Sequence, residues 1–260
     1  MSKLVLFSVT LTLCVGVLGS AMFRRAKETS RVPVLLELFT SEGCSSCPPA
    51  DELLAILDEK QPAPDAELIV LSEHVDYWDR LGWKDRFSSR QYSARQEEYA
   101  SKYHLDGVYT PQLVVDGRFG FVGSDQRAAL SAIQKATQEP KTAILISNVM
   151  LQENQARAHI EIPAAEGPID RQAVLFAAIA DNRAESRVTR GENGGRTLAH
   201  VAVARVLERI GAIDPKLPSS TDVKISLPAG TGANGLRLIV FIQNPISGHI
   251  VAAAVHSVTQ

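Results

Sequence analysis

The chain has 260 residues, enough for one or two domains with a real core. Hydrophobic residues make up 45% and charged residues 22%, which excludes a globally disordered chain. A net charge of -2, with no basic stripe interleaved with aromatics, argues against a nucleic-acid partner.

Lys3 opens the chain's first apolar run, Leu4 to Leu18, which ends at Gly19-Ser20-Ala21. Small residues at Gly19 and Ala21 fit signal-peptidase cleavage after Ala21, so residues 1–21 read as a signal peptide. An uncleaved anchor is the alternative, since the run is near the lower length limit for spanning a bilayer. Either reading places the protein outside the cytoplasm, periplasmic or secreted, with this segment as the expected membrane contact. Leu13 before Cys14 argues against a lipoprotein. Residues 22–31 are polar and read as a linker. Of three cysteines, Cys14 lies in the export segment, leaving Cys44 and Cys47. So close a pair closes a tiny loop and adds little as a staple.

Val34 to Thr40 is a short apolar run, expected as a buried strand. It ends at Ser41-Glu42-Gly43 and leads into Cys44-Ser45-Ser46-Cys47-Pro48-Pro49. Apolar positions from Leu53 to Leu57 then follow at helical spacing, with Pro in the first turn. The cysteines therefore sit where a strand turns into a helix. Glu67 to Glu73 is a second strand, and a polar, aromatic stretch runs from His74 to Phe87. Ser88 to Tyr103 reads as a helix, with Tyr92, Arg95, Tyr99 and Tyr103 at helical steps. Thr110-Pro111 opens a third strand, Gln112 to Val115. Asp116-Gly117 signals a hairpin into a fourth, Arg118 to Val122. Ser124 is placed to cap a last helix, Asp125 to Ala136.

Beyond Glu139-Pro140 the texture changes to short alternating runs separated by turn residues. They cover 143–149, 156–162, 174–180, 223–227, 236–242 and 250–256. Such spacing suggests an antiparallel sandwich. Leu198 to Ile210 fits either a helix or a long strand. The expected architecture is thus an α/β domain, 32–140, of order β-α-β-α-β-β-α, followed by a mainly antiparallel β-sandwich, 141–260.

In such a sheet, sites gather at the rim formed by the carboxyl ends of the parallel strands. The Cys44 turn lies there. If the third strand runs antiparallel to the first, Thr110-Pro111 faces it, and the X-Pro bond is a candidate cis peptide. A helix N-terminus stabilises a thiolate, so Cys44 is the expected attacking sulfur. Cys47, one turn in and more buried, is the resolving one. Glu42 would oppose ionisation. His74, Asp76, Trp78 and Trp83 follow the second strand onto the same rim. His74 or Asp76 is a candidate proton-transfer group, and Trp78 a candidate groove wall. The plain alternative is that both tryptophans pack the base of a long loop. The Gly-rich loop from Arg190 to His200 is expected as a turn or interdomain contact rather than an anion site.

The segment resembles the thioredoxin superfamily: a strand, Cys-x-x-Cys, a helix, then Thr110-Pro111 where that superfamily has its cis-proline. More closely, residues 39–51, Glu73 to Trp78 and Val108 to Gln112 resemble an exported bacterial family catalogued as domain of unknown function 1223. Arg190-Gly191-Glu192-Asn193, with Arg196, Leu198 and His200, resembles that family's second domain. No Trp precedes Cys44, and Ser-Ser replaces Gly-Pro between the cysteines, so the redox direction is left open. The leading expectation is thiol–disulfide exchange with an exported protein or small thiol, with no cofactor and no resident metal. A binding or assembly module with a static disulfide is the alternative. A Cu(I) carrier using both thiolates and His74 is a third reading.

Overall fold

In the computed structural model, residues 31–166, 169–229, 231 and 235–258 are described. The expected export segment and nearly all of the linker lie outside them. Among the described residues no helix is long and apolar enough to cross a membrane.

Strand β1 (Val32–Thr40) is buried on both faces from Val34 onward, which is why it reads as a continuous apolar run. Helix α1 (Pro48–Lys60) follows, with Pro in its first turn and Leu53, Leu54 and Leu57 on its buried side. It ends at Gln61 in a left-handed conformation, whose N–H bonds Leu57 O. Strand β2 (Ala66–His74) then runs parallel to β1. Helix α2 (Arg90–Lys102) is capped by Ser89, which accepts from the Gln91 amide. Strand β3 (Gln112–Val115) is antiparallel to β1 and forms a hairpin with β4 (Phe119–Val122). Asp116 and Gly117 turn that hairpin with φ of 49° and 62°. A Cβ on Gly117 would lie 2.0 Å from Gly248 O, so only glycine fits there. Helix α3 (Gln126–Ala136) is capped by Asp125, whose side chain accepts from the Ala128 amide; Ser124 is not the cap.

The second half contributes β5 (Leu145–Gln152), β6 (Gln155–Ile162), β7 (Ala173–Arg187), β8 (Thr197–Ile213), β9 (Ser219–Ser226), β10 (Leu236–Gln243) and β11 (Ile250–Val258). Residues 198–210 are therefore strand, which settles the helix-or-strand choice. These strands do not form a sandwich apart from the first sheet. One eight-stranded mixed sheet runs β11-β10-β7-β8-β2-β1-β3-β4, and a three-stranded antiparallel sheet runs β5-β6-β9. The expected sandwich is present as layers, but one layer is continuous with the N-terminal sheet. The seam is the parallel contact of β2 and β8, paired at Ser72 and Val203.

Three apolar clusters hold these layers. Leu36, Leu38, Val70, Leu54 and Ile133 fill the space between the sheet and helices α1 and α3. Ile160, Val223, Ile179 and Val240 fill the space between the two sheets. The third joins the halves: Leu35, Ile69, Leu71 and Tyr92 pack with Ala178, Leu207, Ile239 and Phe241. Burying a side chain of this size contributes about 1.5–3 kcal/mol, so this shared cluster is a strong tie between the halves.

Candidate active site

Cys44 and Cys47 form a disulfide in the turn between β1 and α1, with Cα atoms 5.4 Å apart. Cys47 is the N-cap of α1. Both cysteines are 0% exposed, while Ser45 and Ser46 are open to solvent. This differs from the expectation of an accessible Cys44 beside a more buried Cys47. Trp78 stands against the turn at Gly43, its Cβ 3.2 Å from where a Cβ on that glycine would lie. Ser46 Oγ is 3.3 Å from Cys44 Sγ. The loop between β7 and β8 closes over the turn from the second half.

That loop makes specific contacts. Asn193 Nδ2 donates to Glu42 O and to Cys44 O, both at 2.9 Å. Its own oxygen accepts from Arg196 at 2.9 Å. The Ser45 amide donates to Glu192 Oε2 at 3.0 Å. The Ser45 side chain and amide together hold the Glu192 carboxyl below its ordinary range. The Gly-rich loop is thus a contact between the halves of the molecule, placed on the cysteine turn.

Thr110-Pro111 is a cis peptide and faces the motif. Thr110 O accepts from Ser46 Oγ at 3.4 Å, and Thr110 Oγ1 accepts from Trp78 Nε1 at 2.7 Å. Trp78 therefore joins the cysteine turn to the Pro111 loop. Trp83 Nε1 donates to Glu42 Oε2 at 2.7 Å. Trp78 packs against the Phe39–Tyr99 cluster, and both indoles donate to groups of the site. Asp76 points elsewhere: its carboxylate accepts from Ser93 Oγ at 2.5 Å, near the start of α2.

His74 is wholly buried, and its Nδ1 lies 2.6 Å from Asp85 Oδ2. Asp85 also accepts from the amides of Glu42 and Phe87, both at 2.9 Å. Burial lowers the His74 pKa, but the Asp85 charge and hydrogen bond, with Asp51 and Glu42, outweigh it and the net shift is upward. Asp85 is lowered to about 2, burial being outweighed by His74 and the backbone donors. The two shifts both favour an imidazolium–carboxylate pairing beneath the site. His74 is brought close to the motif but has no access to solvent.

His200 of β8 completes the group, edge-on to His74 with ring centroids 4.7 Å apart. Its Nδ1 is 3.6 Å from Asp51 Oδ1 and its Nε2 is 3.9 Å from Glu42 Oε1. Among the described residues, no group of His, Cys, Asp and Glu side chains is disposed to hold a metal ion. The sequence signals flagged Glu42 and His74 but not Asp85, whose role arises from a loop folding back on β2. Asp51 entered only within a family motif, and His200 only there and as the end of the Gly-rich loop, because their meeting depends on the β2–β8 seam.

A family model described as "Protein of unknown function (DUF1223)" matches residues 35–243. No curated protein matches the chain. Among solved structures, a structural-genomics protein of Agrobacterium tumefaciens is 28% identical, covering 88% of this chain and 97% of that one, with a TM-score of 0.65. HBP35 of Porphyromonas gingivalis is 15% identical, covering 88% of this chain and 76% of that one, with a TM-score of 0.66, a likeness of fold alone.

Proposed function

This chain belongs to the DUF1223 family, and from that premise we propose that it is an exported thiol–disulfide oxidoreductase of thioredoxin-like fold. The observation that carries the reading is the Cys44–Cys47 disulfide at the start of α1, facing the cis Thr110-Pro111 peptide. Order and pairing of β1, α1, β2, the β3–β4 hairpin and α3 support the fold reading. In the reduced protein, Cys44 stands just before the N-terminus of α1, where the helix dipole favours a thiolate. Cys44 attacks a disulfide of an exported protein or small thiol. Cys47 then attacks Cys44 Sγ and releases the partner. Thr110 presents its backbone to the partner chain. The dithiol carries both electrons, so no cofactor enters the reaction.

A second reading has its own observation. Both sulfurs are 0% exposed beneath the Asn193 loop, which suits a static disulfide in a binding module. Trapping separates the two. Cys47→Ser, expressed in the exporting compartment, is expected to accumulate mixed disulfides on Cys44. An empty trap, together with a Cys44 inert to thiol reagents, selects the binding module.

A further inference from the structure

The residues behind the cysteine turn include five buried side-chain atoms with no hydrogen-bond partner among the described residues: Glu42 Oε1, Asp51 Oδ1, His74 Nε2 and both ring nitrogens of His200. Leaving such an atom unpaired is costly, and structures rarely keep several in one place without a use for them. Their arrangement is ordered. Asp51 lies four residues after Cys47, one helical turn on, so the two share a face of α1. Its carboxylate faces His200 Nδ1 at 3.6 Å, and Glu42, two residues before Cys44, faces His200 Nε2 at 3.9 Å. Both gaps lie just beyond direct hydrogen bonding, and a movement of under about 1 Å closes either one. His74 is held against the ring by Asp85, so the ring has little freedom to turn away.

Resting on the oxidoreductase reading, we propose that His200, contributed by the second half of the chain, is the proton-exchange partner of Cys47 through Asp51. The resolving step needs one. After Cys44 has attacked the partner disulfide, the first partner sulfur leaves as a thiolate and takes a proton from water. Cys47 is then still a thiol, buried from solvent. Its proton passes to the Asp51 carboxylate and on to His200 Nδ1. The Cys47 thiolate attacks Cys44 Sγ, a new S–S bond forms, the mixed disulfide breaks, and the second partner thiolate leaves. Two electrons have moved from the dithiol to the partner, and the Cys47 proton rests on an imidazolium between Asp51 and Glu42. In the reverse direction the same groups return the proton to Cys47. Among the described residues, the titratable groups facing His200 are Glu42 on the β1–α1 turn, Asp51 on α1 and His74 on β2 with Asp85 behind it. Asp85 neutralises His74, so two carboxylates are left to balance a charge on His200. In this role His200 is a positioning and relay residue; it touches no substrate.

Two measurements test this, using glutathione disulfide as the partner. In wild-type protein, imidazole NMR signals of His200 are followed across about pH 5 to 8 in the oxidised and dithiol states. The relay requires a different protonation of His200 in the two states at one pH; identical titration in both overturns it. In His200→Gln, the first attack by Cys44 should keep its wild-type rate, while resolution by Cys47 slows about a hundredfold and loses its pH dependence. A folded variant that resolves at the wild-type rate overturns the relay as well. Should the variant not fold, the wild-type NMR comparison decides. Wild-type protein that exchanges nothing with glutathione at any redox ratio instead defeats the oxidoreductase reading, and the relay with it.

Discussion

Asn193 is 0% exposed, and its side-chain amide is the only described donor reaching both Glu42 O and Cys44 O. Removing it leaves Glu42 O short of its donor and Cys44 O with the Cys47 amide alone, in a covered site. Asn193→Ala should therefore lower the unfolding free energy by about 1–3 kcal/mol in urea denaturation. It should also speed reduction of the disulfide by dithiothreitol, because the loop loses its hold on the cysteine turn. An unchanged reduction rate would show that something else shields Cys44. His74 and Asp85 make a second residue-scale prediction. Asp85 is depressed to about 2, so its contribution is present above the ordinary carboxylate range and disappears as pH falls through about 2. His74 is raised, so its contribution is complete below the ordinary histidine range and disappears as pH rises through its folded value. The pair thus stabilises most between about pH 4 and 6.5. Asp85→Asn should flatten the stability profile over that window, and a parallel profile in wild type and variant would contradict the ion pair.

Helix α2 is joined to the sheet by a buried polar network rather than by an apolar stripe alone. Arg95 Nε donates to Glu37 Oε1 of β1 at 2.5 Å, and its other nitrogens reach Gln243 of β10 and Tyr99. Tyr99 in turn donates to Glu37 Oε2 at 2.6 Å. Glu73 of β2 is raised well above the carboxylate range, by burial first and by the Glu37 charge next. Arg95→Ala strands the Glu37 charge and should cost about 3–5 kcal/mol. Glu73→Gln copies a protonated carboxyl and should stay within about 1 kcal/mol of wild type at pH 7. Equal losses in the two variants would mean that Glu73 is ionised. Much of this helix was legible beforehand: Tyr92, Arg95, Tyr99 and Tyr103 stand at helical steps, and Ser89 caps it one residue inside the expected start. What the arginine pairs with was not legible. Glu37 sits inside an apolar run, and nothing local tells a buried acid from one facing solvent. The β8 segment was ambiguous for a related reason, since its apolar positions fit both periods until β7 pairs along its whole length.

At the scale of the molecule, local alternation identifies strands but does not say which sheet each joins. That is why a separate sandwich was expected where β7, β8, β10 and β11 instead extend the first sheet. The cysteine turn and the facing Thr110-Pro111 were legible because each is a short motif on adjacent strands. The loop was expected as a turn or interdomain contact, but its place over the cysteines and that of His200 were not legible, because both reach the site only through the β2–β8 seam. This continuity has a thermodynamic consequence. Leu35, Ile69, Leu71 and Tyr92 from the first half share one apolar cluster with Ala178, Leu207, Ile239 and Phe241 from the second. Arg237 of β10 also pairs with Asp58 of α1 at 2.9 Å. Unfolding either half would expose that cluster and strip Asn193 and His200 from the site, so neither half gains by opening alone. The described chain should melt in one transition, with calorimetric and van't Hoff enthalpies equal. Tryptophan fluorescence reports on Trp78 and Trp83 in the first half, and amide hydrogen exchange in β7, β10 and β11 reports on the second, so both should report the same unfolding free energy. Two separated transitions would mean that the seam is weak, and that the second half covers the cysteines as a detachable lid rather than as part of one core.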